Sequence, residues 1–409
     1  MTTTQVASSS VAHPQRAALR RPRAAVIGLF FLTGLALAMW VVNIPAIQAQ
    51  IGISHGVLGG LLLLLGAGSV LSMQVSGPLV DRLGSRSVAI AGAALLVVGV
   101  VLPALAGQAW QLGAALFVLG LGNGAIDVAM NEQAVVVERR WGRPIMSSFH
   151  AFFSIGGAVG AGVGALMQTA ALSVLQILVL GSVLVAALAL LSIPSMLKPT
   201  HAAADEPTTA AGAPVAPTSQ EPAQNSTGRL LALAGLAFLL MLAEGTANDW
   251  SALQAVEDLG QPAAAASLAY AAFAVAMTIG RFSADPVSHR FGAVQVVRVG
   301  SAVAAAGMLL VVLSPLFALT LVGWVVFGLG LAGIVPQIFT AAGNLGGNQG
   351  INISRVVSAG YVGLLAGPAV IGWLAGGIGL TLALALPLLF CLVGIVLAPQ
   401  VALRRPVSA

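Results

Sequence analysis

The sequence predicts an all-α membrane protein, with twelve transmembrane helices arranged as two pseudo-symmetric six-helix bundles. Three observations predict it: an apolar, charge-poor composition, twelve membrane-length runs, and an internal repeat. Of 409 residues, 58% are hydrophobic and 7% are charged, where a soluble domain carries about 25% charged residues. The net charge of +5 would suggest nucleic acid in a soluble protein. Here the basic residues lie between apolar runs, not on an exposed face among stacking aromatics, so nucleic-acid binding is excluded. The single Cys391 lies in an apolar run, which excludes a disulfide framework and a cysteine zinc site. Arginine in place of lysine and an abundance of Ala, Gly, Val and Leu point to a high-GC bacterium.

A bilayer core about 30 Å thick requires about 20 mostly apolar residues per helix. Runs of that kind occupy 24–43, 57–79, 87–106, 110–131, 145–168 and 172–193, then 229–250, 263–284, 293–314, 316–338, 354–376 and 379–398. The first begins after Arg20, Arg21 and Arg23, which has the look of a signal peptide or twin-arginine signal. It continues through Trp40 to Asn43, long enough to span, and Pro45 is expected to end it. An even number of spans puts both termini on one side. All 17 basic residues then fall on that side: those before span one, Arg82 and Arg86, Arg139 to Arg143, Lys198 and Arg229, Arg281 to Arg298, Arg355, and Arg404 with Arg405. The excess marks it as cytoplasmic.

The organisation follows. Residues 1–23 form a cytoplasmic tail, 24–194 the first bundle, 195–228 a disordered linker, 229–398 the second bundle, and 399–409 a second tail. The linker is rich in proline and alanine and lacks aromatic residues, which leaves it nothing to bury. Its Asn225-Ser226-Thr227 sequon is a chance match on the cytoplasmic side. The halves repeat one another: Gly77, Asp81, Arg82 and Gly84 after span two are echoed by Gly280, Asp285, Arg290 and Gly292 after span eight. Gly84 and Gly292 differ by 208, as do Gly120 and Gly328, while Gly156 and Gly363 differ by 207. Asp81 and Asp285 differ by 204, so the second copy is about one helical turn longer.

Six plus six helices, a central linker, and the pattern GxxxDRxGxR at Gly77, Asp81, Arg82, Gly84 and Arg86 resemble a major facilitator superfamily transporter. Asn123 to Asn131, Phe149-His150-Ala151, and Glu244 to Trp250 resemble a bacterial branch near the fucose-permease-like symporters. Drug antiporters of the superfamily carry an Arg in span four and a Gly-Pro pair in span five. Span four here has no basic residue, and the Gly-Pro pair is Gly367-Pro368 in span eleven, which argues against multidrug efflux. The resemblance implies a monomer working by alternating access. It also implies that Asp81 engages the start of span eleven near Arg355, that Arg86 reaches Glu132 or Glu138 at the end of span four, and that Asp285 with Arg281 or Arg290 forms the matching latch. Physically, an Asp at the end of one helix stabilises the positive N-terminus of another.

An ionisable residue within a span is a functional hypothesis by default. Asn123, Asp127 and Asn131 recur every four residues on span four and share one face. They are expected on a central cavity, the two Asn binding solute and Asp127 acting as a proton or solute site; a fixed contact to a neighbouring helix is the structural alternative. Glu244 and Asn248 form a second such pair on span seven, continued by Ser251. Glu244 lies 15 residues beyond Arg229, about 22 Å along the helix and inside the membrane. Burial favours a neutral carboxyl and a partner the charged one, so Glu244 is the leading proton carrier. A hydrogen bond at a kink beside Gly245 is the alternative. Asp249 is read as a rim or gate residue. Trp40 and Asn43 could meet solute from the opposite side, though Trp40 serves equally as an interfacial anchor. His150, the single histidine within a span, reads as packing before proton relay. Ser147, Ser148 and His150 lack a third orienting group for nucleophilic catalysis. The Gly pairs of spans five and eleven read as packing surfaces, and Gly120-x-Gly122, with no strand before it, is no nucleotide fingerprint.

The expected function is secondary active transport of a small polar solute across the bacterial inner membrane, by proton-coupled symport. Neither enzyme activity, a cofactor nor a metal is implied; the partners are solute, protons and lipid. With Asn, Trp and carboxylate as cavity candidates, a neutral or cationic solute, sugar-like, is expected. A proton-coupled exporter of amphipathic compounds and a solute sensor that does not transport remain as alternatives.

Overall fold

A computed structural model describes residues 17–53, 55–198 and 224–403. In hydrocarbon, backbone polar groups must be satisfied within each segment, so every apolar run folds as a helix. The first half contains α1 (Arg20–Ile51), α2 (His55–Leu83), α3 (Ser85–Val101), α4 (Ala109–Trp141), α5 (Met146–Thr169) and α6 (Val174–Ser192). The second contains α7 (Gln224–Glu257), α8 (Ala263–Phe291) and α9 (Ala293–Leu313), then α10 in two pieces (Phe317–Leu331 and Ile334–Gly343). It closes with α11 (Gln349–Ile378) and α12, also in two pieces (Leu380–Ala383 and Ala385–Leu397). Among the described residues, eleven helices are long and apolar enough to cross a membrane. The twelfth, α8, has 29 residues and carries Arg281, Asp285 and Arg290 in its last three turns.

Several helices outrun the runs that predicted them. Helix α1 does not stop at Pro45 but continues to Gly52, whose left-handed backbone (φ 73°) lets its N–H reach the Gln48 carbonyl. A proline removes one hydrogen bond without ending a helix that neighbours hold in place, and Ile47 beyond it is fully buried. Helix α4 extends past 131 and takes in Glu132, Glu138 and Arg139. Hydropathy marks the hydrocarbon-facing part of a helix, not its polar ends. Helix α7 begins within the expected linker and includes the Asn225-Ser226-Thr227 sequon. The rest of that linker from 199 to 223, the first 16 residues, and Arg404 with Arg405 lie outside the described residues.

The repeat in the sequence is a repeat in packing. Helices α2 and α8 are related by an offset of 208 at both ends. A Cβ placed on Gly156 would lie 2.0 Å from the carbonyl oxygen of Phe31, and one on Gly363 2.1 Å from that of Phe238. Both members of that pair are displaced by 207. At the 208 offset, Gly120 meets the Leu65 carbonyl at 2.1 Å and Gly328 the Phe273 carbonyl at 2.6 Å. Lipid supplies no hydrophobic drive for helix association, so backbones brought together by small residues provide the packing energy. Gly84 and Gly292, at φ 79° and 84° with extended ψ, make the tight α2–α3 and α8–α9 turns, a backbone region open essentially to glycine alone. Large side chains such as Leu190, Leu191, Trp373 and Val396 are at least 75% exposed on the outer surface, as lipid-facing residues are.

Candidate functional site

The two halves meet along α2 with α11 and along α5 with α8, and their polar contacts gather toward the basic end of the bundles. There each half caps a helix of the other. The Asp81 carboxylate at the end of α2 accepts from the Gly350 and Ile351 amides at the start of α11 (2.7 and 3.1 Å). The Asp285 carboxylate of α8 accepts from the Ser147 and Ser148 amides at the start of α5 (2.9 and 2.7 Å). Free amides and the helix dipole make such N-termini natural carboxylate sites. The expected latch of Asp285 with Arg281 or Arg290 is therefore corrected: its partners are backbone amides. Asp285 lies seven residues before Gly292 where Asp81 lies three before Gly84, so it sits a turn deeper, and it is 6% exposed.

Close approach supports these caps. Gly77 packs against Ser354 and the Gly350 carbonyl across the halves, whereas Gly280 packs on Ala332 within its own half. Helices α2 and α8 are equally long, and at the offset of 208 that relates them the position equivalent to Gly77 is Asp285, five residues from Gly280. Ser354 donates to the Met73 carbonyl (2.5 Å) and Gln74 to Ser358 (2.7 Å). Arg86 was expected to reach Glu132 or Glu138, and Glu138 has other partners. It accepts from the Ile145 and Met146 amides (2.8 and 2.7 Å) and, across the halves, from Thr340 (2.7 Å). Glu132 receives Gln349 (3.4 Å). Arg139 donates to Asn344 and to the Gly343 carbonyl (3.0 and 3.1 Å). Arg82 lies in the last turn of α2 and Arg86 in the first turn of α3. Arg290 lies over the Phe291 ring at 5.2 Å.

Toward the middle of the membrane, a cleft of about 830 Å³ opens between α5, α7 and α8, lined among others by Ser154, Glu244, Asn248, Tyr270, Thr278 and Arg281. Arg281 was counted among the basic residues of the cytoplasmic side, and this is corrected. Its Nη2 pairs with Glu244 at 3.0 Å, and its Nη1 donates to Ser154 of the other half at 2.6 Å. The side chains are 14% and 19% exposed. Arg281 precedes Gly292 by 11 residues, about 16 Å of helix, a spacing from which its depth could have been read. Its presence removes the ground for expecting a neutral or cationic solute, which rested on a cavity without basic residues.

A second polar cluster surrounds Asp127, 5% exposed, between Asn123 and Asn131 (1% and 0%). Asn123 donates to Ser69 of α2 (3.3 Å), and Asn131 to the carbonyl of Asp127 itself (2.9 Å). The Tyr361 hydroxyl of α11 approaches both Asp127 and Asn123 and lies within electrostatic reach of Glu244. None of the three span-four residues lines the cleft. Tyr361, Ser154 and Thr340 escaped sequence reasoning because a single hydroxyl in an apolar run has no pattern.

The remaining candidates divide. Asn248 lines the cleft beside Glu244, while Ser251 on the same stripe is fully buried outside it. Asp249 is exposed one residue beyond Asn248. Trp40 is 2% exposed and cannot serve as a lipid-facing anchor. Asn43 bonds to the Met39 carbonyl (2.8 Å) and to Gln168 (3.4 Å). Both belong to the interior of the first half. His150 packs between the rings of Phe30 and Phe339, with centroids 4.9 and 5.8 Å away. Among the described residues, no three His, Cys, Asp or Glu side chains converge as metal ligands.

Two repeated six-helix bundles with an ion pair at a cleft between them are the architecture of a secondary transporter. The family comparison agrees: the sequence model of the Major Facilitator Superfamily matches residues 26–246 and 233–408. The chain belongs to that superfamily. It is 35% identical over 349 residues to an uncharacterized MFS-type transporter of Yersinia pestis, covering 85% of this chain and 87% of that protein. It is 34% identical over 385 residues to an uncharacterized transporter of Sinorhizobium fredii, covering 93% and 98%. Among solved structures it is similar to FucP in the outward conformation, with a TM-score of 0.76 at 20% identity over 94% of this chain and 99% of that one; FucP is the fucose:proton symporter of E. coli. These relatives are transporters, not enzymes, and the protein is a multi-pass membrane protein.

Proposed function

We propose that the protein moves a small polar solute into the bacterial cell by proton-coupled symport across the inner membrane, with both termini and the basic end in the cytoplasm. The observation that carries the reading is the Glu244–Arg281 pair at 3.0 Å, held inside the membrane at a cleft between the halves. An acid paired within a span is a functional group by default, and breaking this pair ties any proton it carries to movement of the cleft. Structural similarity to a fucose:proton symporter supports the mode. With the basic end inside, the caps of Asp81 and Asp285 close the cytoplasmic side, and the cycle turns when the halves rock about the cleft and release them. Asp127 is the second proton site, with Tyr361 linking it to the Glu244 side. Asn248, which lines the cleft beside Glu244, is the solute-contacting candidate on this reading.

The test is solute-evoked proton flux in proteoliposomes containing a pH dye, with sugars, amino acids, carboxylates and lipophilic cations, for the parent, Glu244→Gln and Asp127→Asn. Flux with one solute class, lost in a variant that still binds, identifies the carrier. Transport without proton movement, or normal coupling in both variants, refutes the assignment.

A further inference from the structure

The Glu244–Arg281 pair also restricts the charge of the solute, an inference that rests on the symport reading above. Glu244 uses only part of what Arg281 offers. The guanidinium gives Nη1 to Ser154 and Nη2 to Glu244 Oε1, while its Nε is buried with no hydrogen-bond partner. Nε and Nη2 form one edge of the planar fork, the edge that matches both oxygens of a carboxylate. Half of that edge is unfilled.

The charge balance of the cleft points the same way. Arg281 and Glu244 are the charged residues among those lining it. An arginine keeps its charge in a protein, so only Glu244 can become neutral. A cationic solute on Glu244 would leave Arg281 unpaired, and so would a proton on Glu244 accompanied by a neutral solute. Either leaves a net positive charge in a low-dielectric site, which is heavily penalised. A proton on Glu244 accompanied by an anion on Arg281 leaves none. The other groups facing the pair do not supply the missing negative charge. Tyr270 lies on α8 within the lining. His150 of α5, within electrostatic reach of Arg281, packs between two aromatic rings. Asp127 of α4, which the Tyr361 hydroxyl of α11 approaches, and Asp249 of α7 lie outside the lining.

We propose that the solute carries a carboxylate, which takes the Nε–Nη2 edge of Arg281 as a proton from outside takes the Glu244 carboxylate. One proton and one monoanion enter together. On the inner side the anion leaves, the proton leaves Glu244, and the pair re-forms. Symport is then obligatory, because the ionised Glu244 competes with the solute for the same edge. The exchange is electroneutral for a monocarboxylate.

The test uses the full chain in detergent and thermal stabilisation by size-matched triads differing in charge: D-glucuronate, D-glucose and D-glucosamine, and lactate, 1,2-propanediol and 1-amino-2-propanol. The expected result is stabilisation by the carboxylate of one triad, with apparent affinity falling about tenfold per pH unit once Glu244 is ionised. Glu244→Gln keeps carboxylate binding and loses that pH dependence. Arg281→Gln alone leaves an unpaired Glu244 and can fail to fold. The double variant Glu244→Gln/Arg281→Gln carries no orphan charge, and it is expected to fold and to bind none of the carboxylates. Stronger stabilisation by a neutral or amine member, no stabilisation by either carboxylate, or parent-like pH dependence in Glu244→Gln overturns the proposal. Proton flux evoked by a neutral solute would retain symport and reject the anion site. Carboxylate binding without flux would retain the anion site and reject symport.

Discussion

Replacing Asp285 with alanine removes the cap that α8 of one half places on α5 of the other, and its effect on opening of the basic end can be worked from the contacts. The carboxylate accepts from two amides at 2.9 and 2.7 Å and is 6% exposed. Hydrogen bonds to a charged group contribute about 1.5–3 kcal/mol each when buried. On opening, however, water replaces both partners, so the net loss is that of an N-cap at the upper end of its range, about 2 kcal/mol. At about 1.4 kcal/mol per decade, the opened population rises about 30-fold. Asp81 is exposed, and Asp81→Ala should lose about 1 kcal/mol, a rise of about fivefold. Ser354 reports the change: it is 2% exposed and sealed between α2 and α11 against Gly77. A Ser354→Cys reporter in a Cys391→Ala background, labelled by a water-soluble maleimide from the basic side, reads the opened population as a rate. A rate for Asp285→Ala within twofold of the parent, or a larger effect from Asp81→Ala, would refute the reasoning.

Three further outcomes are expected. Gly292→Ala forces a side chain onto φ 84° and should cost about 1–3 kcal/mol, seen as a lower Tm in detergent. Gly162→Ala, with nothing within 4 Å of the added Cβ, should leave Tm unchanged, and equal shifts in the two would count against backbone strain. Gly156→Ala and Gly363→Ala each drive a Cβ toward a backbone carbonyl at 2.0 and 2.1 Å, and both should destabilise by about 1–3 kcal/mol; a large difference between them would contradict equivalent packing in the halves. Tyr361→Phe removes the hydroxyl that approaches Asp127 and Asn123 and should lower solute-evoked proton flux about tenfold, the equivalent of one neutral hydrogen bond, with Tm unchanged. Parent-like flux in that variant would remove Tyr361 from the coupling route.

The sequence by itself determined the architecture. Hydrocarbon allows only internally satisfied helices, so run length predicts the spans, and tight glycine contacts recur at the same offset because each half must pack its helices without hydrophobic drive. The engagement of the start of α11 by Asp81 was expected from the resemblance, and the amides of Gly350 and Ile351 bear it out. That Asp285 caps the start of α5 was not legible, because a backbone amide leaves no mark in a sequence. Tertiary structure decided the centre of the molecule. Arg281 reads as one more arginine near a basic loop until the length of α8 sets it 10 residues inside the helix end and opposite Glu244. Asn123, Asp127 and Asn131 share a face by periodicity, yet which neighbour that face meets depended on how the halves dock, and they meet α2 and Tyr361 and do not line the cleft. Periodicity is a property of one helix, whereas the charge balance of a site belongs to the several helices that enclose it.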